Sequence, residues 1–125
     1  MLPDQLVQEV KALRAEGHDI DLVDAEGWAN IVHHGYGVPP GYSKEKTELL
    51  LRFPLSYPNG KPDMFWTDDD LTLAGGGIPK SADGFETTLG KRWRRFSWHP
   101  QNWNPASDNL RTYLEFVATR LGKAE

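Results

Sequence analysis

Apolar residues recur along this chain in two periods, and the switch between them divides it into elements. Leu6, Val7, Val10 and Leu13 lie three and four apart, the spacing of one helical face. Pro3 suits a first helical turn, Asp4 complements the helix dipole and Gly17 is a C-terminal stop, so a helix is predicted over Pro3 to Gly17. Its opposite face carries Gln8, Lys11 and Arg14. From His18 the period shortens to two. Ile20, Leu22 and Ala25 alternate with polar residues, Glu26-Gly27 turns the chain, and Trp28 to His34 makes a second strand. A glycine- and proline-rich loop from Gly35 to Tyr42 leads to a third strand over Thr47 to Phe53, with Leu49, Leu51 and Phe53 on one face; Met64 to Thr67 is the fourth. Helical spacing returns at Leu110, Tyr113, Leu114, Val117, Ala118 and Leu121, with Asn104 read as the cap, Pro105 as the first helical residue and Gly122 as the stop. Helix, four-stranded antiparallel meander, helix is an α+β pattern, read as a single domain over residues 1–125.

Two stretches break the pattern. Phe53 to Trp66 reads FPLSYPNGKPDMFW, and Pro54, Pro58 and Pro62 each fix φ and remove a backbone donor. A central strand cannot pass through them, so the chain must round a rigid corner between two strands. Tyr57-Pro58 is the candidate for a cis bond there. Asp68 to Asn102 is the least periodic part, with the acidic run Asp68 to Asp70, the Gly75-Gly76-Gly77 tract and the basic-aromatic cluster Lys91-Arg92-Trp93-Arg94-Arg95-Phe96. A loop of that length inside a compact domain is usually functional.

The corner, with Phe-Pro, Tyr-Pro, a short bend and a proline before an aromatic strand, resembles that of the ubiquitin-conjugating (E2, UBC) fold. The "PPGY" before the third strand is similar to some bacterial members, and Trp103-Asn104-Pro105 ahead of the last helix also resembles the family. The resemblance spans almost the whole chain. It implies a catalytic cysteine between Trp66 and Trp103, and a first helix whose exposed face meets the activating enzyme.

Composition changes that picture. The chain has 125 residues and no cysteine. Disulfides, thiolate metal sites and thiol nucleophiles are excluded, and with them the thioester that a conjugating enzyme carries. The sequence therefore looks most like the cysteine-lacking E2-like proteins of bacterial gene clusters that encode ubiquitin-like proteins and activating-enzyme homologues. That resemblance implies a noncatalytic component that binds a ubiquitin-like protein, its activating enzyme, or both; separately, the residues lead us to expect no cofactor and no metal. His99-Pro100-Gln101-Asn102 is similar to the family's His-Pro-Asn signature but comes late and carries an extra residue. The oxyanion role is not transferred to Asn102.

The enzymatic alternative is an oxyester route. Ser97 lies two residues before His99, and in an extended segment the two share a face, so His99 could serve Ser97 as a base. A third reading takes the cluster from Lys91 to Trp98 as a single-stranded nucleic-acid site, its bases stacking on rings and its phosphates meeting Arg and Lys. A formal net charge of −4 weighs against that. The same cluster suits a protein interface, where Trp and Arg are enriched; Trp93, Arg94, Phe96 and His99 join Gln8, Lys11 and Arg14 as candidate partner-binding residues. His33 and His34 adjoin on a strand and point to opposite faces, so they cannot chelate one ion together. Asp68 to Asp70 lacks the EF-hand spacing and reads as a solvated turn, and Gly75 to Ser81 lacks the phosphate-loop spacing. No apolar run approaches the ~20 residues of a membrane helix and no leader pattern opens the chain, which leads us to expect a cytoplasmic protein with no membrane partner.

Overall fold

The computed structural model describes all 125 residues. Helix α1 runs from Asp4 to Ala15, with Pro3 in extended geometry before it and Leu6, Val10 and Leu13 buried. It ends in a Schellman motif: the Gly17 amide donates to the Arg14 carbonyl and the His18 amide to Leu13, while Gly17 takes a φ of +99°. The motif hands the chain directly to the sheet.

The sheet has six antiparallel strands where the sequence pattern predicts four. In chain order they are β1 (Ile20–Ala25), β2 (Trp28–Gly37), β3 (Lys46–Pro54), β4 (Phe65–Asp68), β5 (Gly84–Thr88) and β6 (Lys91–Phe96), arranged β1-β2-β3-β4-β6-β5. The two added strands lie inside the stretch expected to be irregular. β5 and β6 are joined through Leu89 and Gly90, both at positive φ (52° and 72°), as Glu26 and Gly27 join β1 and β2 (57° and 80°). Such turns match the twist of the strands they connect. β2 is irregular between His33 and Tyr36.

The predicted corner separates β3 from β4, and its Tyr57-Pro58 bond is cis. Helix α2 spans Leu110–Leu121, so it starts five residues beyond the position that Asn104 and Pro105 suggested. Asn104 caps only a turn, accepting from the Ala106 amide at 3.0 Å and donating its own amide to Asp108 at 2.7 Å. The helix is capped by Asn109, whose side chain accepts from the Thr112 amide at 3.1 Å while Thr112 Oγ1 accepts from the Asn109 amide at 2.9 Å. Of the predicted stripe, Leu110, Tyr113, Val117 and Leu121 are buried, Leu114 is half-buried and Ala118 is exposed.

Strand alternation sorts the apolar residues into two layers. Leu49, Leu51, Phe53, Phe65 and Phe96 face the helices and form the main core with Leu6, Val10, Tyr113 and Val117. On the opposite face Leu50, Trp66 and Trp93 are buried, flanked by Val32, Met64 and Leu89. No helix is long and apolar enough to cross a membrane.

Candidate functional site

Asp63, at the end of the corner, and the segment from Ser97 to Trp103 come together. The Met64 amide donates to the Trp98 carbonyl at 3.1 Å, Trp103 Nε1 donates to the Pro58 carbonyl at 2.9 Å, and Lys61 Nζ reaches the Pro100 carbonyl at 3.4 Å. These contacts place His99 against Asp63, with its Nδ1 2.6 Å from Asp63 Oδ1. Both side chains are exposed, at 53% and 40%. Nothing in the sequence pairs them, because they sit 36 positions apart.

Ser97 is not joined to this pair. Its Oγ accepts from Arg95 Nε at 3.3 Å, its amide donates to Ser81, and no hydrogen bond links it to His99. The expected shared face requires extended backbone, but β6 ends at Phe96. The Trp98 amide then bonds back to the Phe96 carbonyl at 2.9 Å, a three-residue turn centred on Ser97. That turn removes the two-residue repeat on which the expectation rests.

The basic-aromatic cluster is strand β6, and its side chains point inward as much as outward. Trp93 packs in the outer layer and donates Nε1 to the Thr88 carbonyl at 3.1 Å. Phe96 stacks on Phe65 in the main core, with ring centroids 4.9 Å apart. Arg94 is 5% exposed, donates Nη1 to the Ala82 carbonyl at 2.6 Å and lies 4.7 Å from the Phe85 ring. Trp93, Arg94 and Phe96 are therefore packing residues in this conformation, not a presented surface. The cations are also engaged: Lys91 pairs with Asp68 at 2.5 Å, Arg92 with Asp69 at 3.9 Å and Arg95 with Glu86 at 3.0 Å. With Trp93 and Phe96 covered and Lys91, Arg92 and Arg95 each paired with a carboxylate, the cluster is a poor stacking platform for bases.

Asp68 is not part of a solvated turn. Burial raises its pKa, but hydrogen bonds from Lys44 (2.8 Å), Lys91 and the Glu48 amide outweigh that and hold the carboxyl at about 2. Gln8, Lys11, Arg14 and His99 are exposed. Arg14 also donates Nε to the Ile20 carbonyl at 2.9 Å, which ties the last turn of α1 to the sheet.

The outer face holds a feature that the sequence did not single out. The tip of the β5–β6 hairpin reaches over toward the β1–β2 turn, where Thr88 Oγ1 donates to the Glu26 carboxylate. Beneath it is a groove of about 430 Å³ walled by Val23, Val32, Leu89 and Trp93. His34 lies in its wall between two carboxylates, Nε2 2.8 Å from Asp21 and Nδ1 3.0 Å from Glu48. Those two hydrogen bonds, Asp21 first, raise the imidazole to about 9, so it is a cation at neutral pH.

Two helices on one face of an antiparallel sheet, the proline corner and a His-Pro segment docked on it define an α+β protein built like an E2 that has no nucleophilic cysteine. The model of Prokaryotic E2 family E matches residues 5–124, and the chain belongs to that family. No curated protein and no solved structure matches it.

Proposed function

We propose that this protein is a noncatalytic E2-like component of a bacterial ubiquitin-like modification system, which binds the ubiquitin-like protein or its activating enzyme without accepting it covalently. One observation carries the reading. The chain has no cysteine, and Ser97, two residues before His99, makes no hydrogen bond to it and is bonded instead by Arg95. The exposed face of α1, with Gln8, Lys11 and Arg14, is the contact surface for the activating enzyme. His99 and the outer groove, which Trp93 walls, are the remaining accessible parts of the expected binding set.

Intact mass spectrometry tests this. The chain is incubated with the ubiquitin-like protein and activating enzyme encoded beside its gene, plus ATP, and the mixture is passed over a sizing column. The expected result is a co-eluting complex with no adduct, weakened in a Lys11→Glu variant. An adduct would refute it.

The second reading, a carrier that holds the partner as an oxyester on Ser97, draws support from the His99–Asp63 pair, because a carboxylate orients an imidazole that serves as a base. For that chemistry Ser97 must swing off Arg95. An adduct lost in both Ser97→Ala and His99→Ala would establish it.

A further inference from the structure

β5 is one edge of the sheet. Sheet edges are commonly blunted by lysine, proline or a bulge. The strand Gly84-Phe85-Glu86-Thr87-Thr88 has neither lysine nor proline, and its ladder to β6 runs without a register shift. Which backbone groups face outward follows from the turn. Leu89 and Gly90, both at positive φ, make a two-residue hairpin loop, whose closing pair Thr88–Lys91 exchanges both hydrogen bonds. Alternation from there aims the ladder groups of Glu86 and Gly84 at β6 and those of Phe85 and Thr87 away from it. Neither outward residue bonds the backbone of any loop or helix, and the Phe85 side chain is 39% exposed. Gly84 leaves a gap on the other face. A Cβ there would fall 2.7 Å from Arg95 Nη2, so the guanidinium lies across the bare Gly84 backbone. Its Nε is on Ser97 Oγ and its Nη1 on Glu86 at 3.0 Å, while Nη2 makes no hydrogen bond.

We propose that β5 pairs antiparallel with β5 of a second copy of this chain, in a twofold dimer that sets Phe85 opposite the partner's Phe85. The outward residues of both strands must face each other, so the symmetric pairing centres on Phe85, Glu86 or Thr87. Centring on Glu86 sets two carboxylates directly across from one another, which is destabilising. Centring on Thr87 sets Glu86 against the partner's Thr88, a residue 5% exposed and bonded to Glu26. Centring on Phe85 meets neither obstacle. On one face the two Phe85 rings form a cross-strand aromatic pair, each ring already 3.9 Å from the Arg92 guanidinium and 4.7 Å from that of Arg94. On the other face Glu86 stands opposite the partner's Gly84, where Nη2 of the partner's Arg95 is free to take its carboxylate. Symmetry makes that ion pair twice. In charge and in shape, the complement of β5 is β5.

Sedimentation equilibrium of the full chain over a range of concentrations tests the pairing. Wild type is expected to show a reversible monomer–dimer equilibrium. Thr87→Pro removes an outward amide and leaves the ladder to β6 intact; it weakens the dimer about tenfold or more, since the symmetric interface loses that bond twice. Phe85→Lys, a charge on the edge, does the same if the proline variant misfolds by circular dichroism. The register is read separately. The chain has no cysteine, so one introduced thiol reports its own neighbour. Facing residues of a hydrogen-bonded pair have Cα atoms roughly 5.5 Å apart, within disulfide reach. Phe85→Cys is therefore expected to give a disulfide-linked dimer with oxidised glutathione faster than Glu86→Cys or Thr87→Cys. A wild type that stays monomeric at every concentration, a dimer of equal strength in both edge variants, or fastest linking at position 86 or 87 would each overturn the proposal.

Discussion

Glu9 lies where three parts of the molecule meet, and its removal is the most informative single perturbation. Its Oε1 accepts from the Tyr57 hydroxyl at 2.5 Å and from the Leu110 amide at 3.1 Å. One carboxylate on α1 thus fastens the proline corner and the first turn of α2. Tyr57 is 4% exposed and Leu110 is 0% exposed, so neither donor has ready access to water. Burial, with the carboxylate beside it, holds the Tyr57 phenol above its ordinary range, and it stays a donor. Glu9→Ala strands both donors. A buried unpaired group costs about 1–3 kcal/mol, and the lost anion at a helix N-terminus adds about 0.5 kcal/mol. The expected loss is about 3 kcal/mol, a shift of roughly 12 °C in Tm for a chain of this size. Glu9→Gln keeps the acceptor but not the charge, and costs about 1–2 kcal/mol. Urea denaturation followed by tryptophan fluorescence measures each value. A double-mutant cycle with Tyr57→Phe should give a coupling of about 1 kcal/mol or more. A Glu9→Ala loss below about 0.5 kcal/mol, or strict additivity in the cycle, would refute the bridging role.

Three further outcomes follow from the geometry. The folded-state pKa of His34 is raised to about 9, so its clasp with Asp21 and Glu48 contributes fully below pH ~6.5 and is lost as pH rises through 9; solvent screening leaves about 1 kcal/mol, seen as a wild-type stability loss between pH 6 and 10 that His34→Gln abolishes. The folded-state pKa of Asp68 is depressed to about 2, so its contribution is present above pH ~4 and lost as pH falls through 2; Asp68→Asn should flatten the acid limb of an unfolding curve. Asn109→Ala removes the α2 cap and should cost about 1 kcal/mol by thermal melts, with Asn109→Ser recovering most of it.

The parts legible in the sequence were those written by local periodicity or by a rigid residue. α1, the first three strands and the corner come from alternation, glycine stops and the three prolines. The β5–β6 hairpin was hidden for two reasons. Its turn is Leu89-Gly90, without the Asn-Gly or Asp-Gly signal, and its core-facing positions include Arg94, so alternation reads polar where the strand is buried. The start of α2 was misplaced because Asn104 and Pro105 make a plausible cap, and only the Asn109–Thr112 box with Glu9 on the Leu110 amide decides otherwise. His99 was visible, but its meeting with Asp63 depends on tertiary register, which no local spacing encodes.

The burial of Trp93 beneath the hairpin tip has a kinetic consequence. A partner that needs more of this ring than the edge walling the groove reaches it only while the tip is lifted from Glu26, so its apparent affinity is scaled by the open fraction. An open population of roughly one in a thousand would make an intrinsically nanomolar contact read as micromolar. Its association rate would also stop rising with partner concentration once lifting of the tip became limiting. The tip would then act as a clock on encounter, admitting partners at a pace set by the hairpin rather than by diffusion.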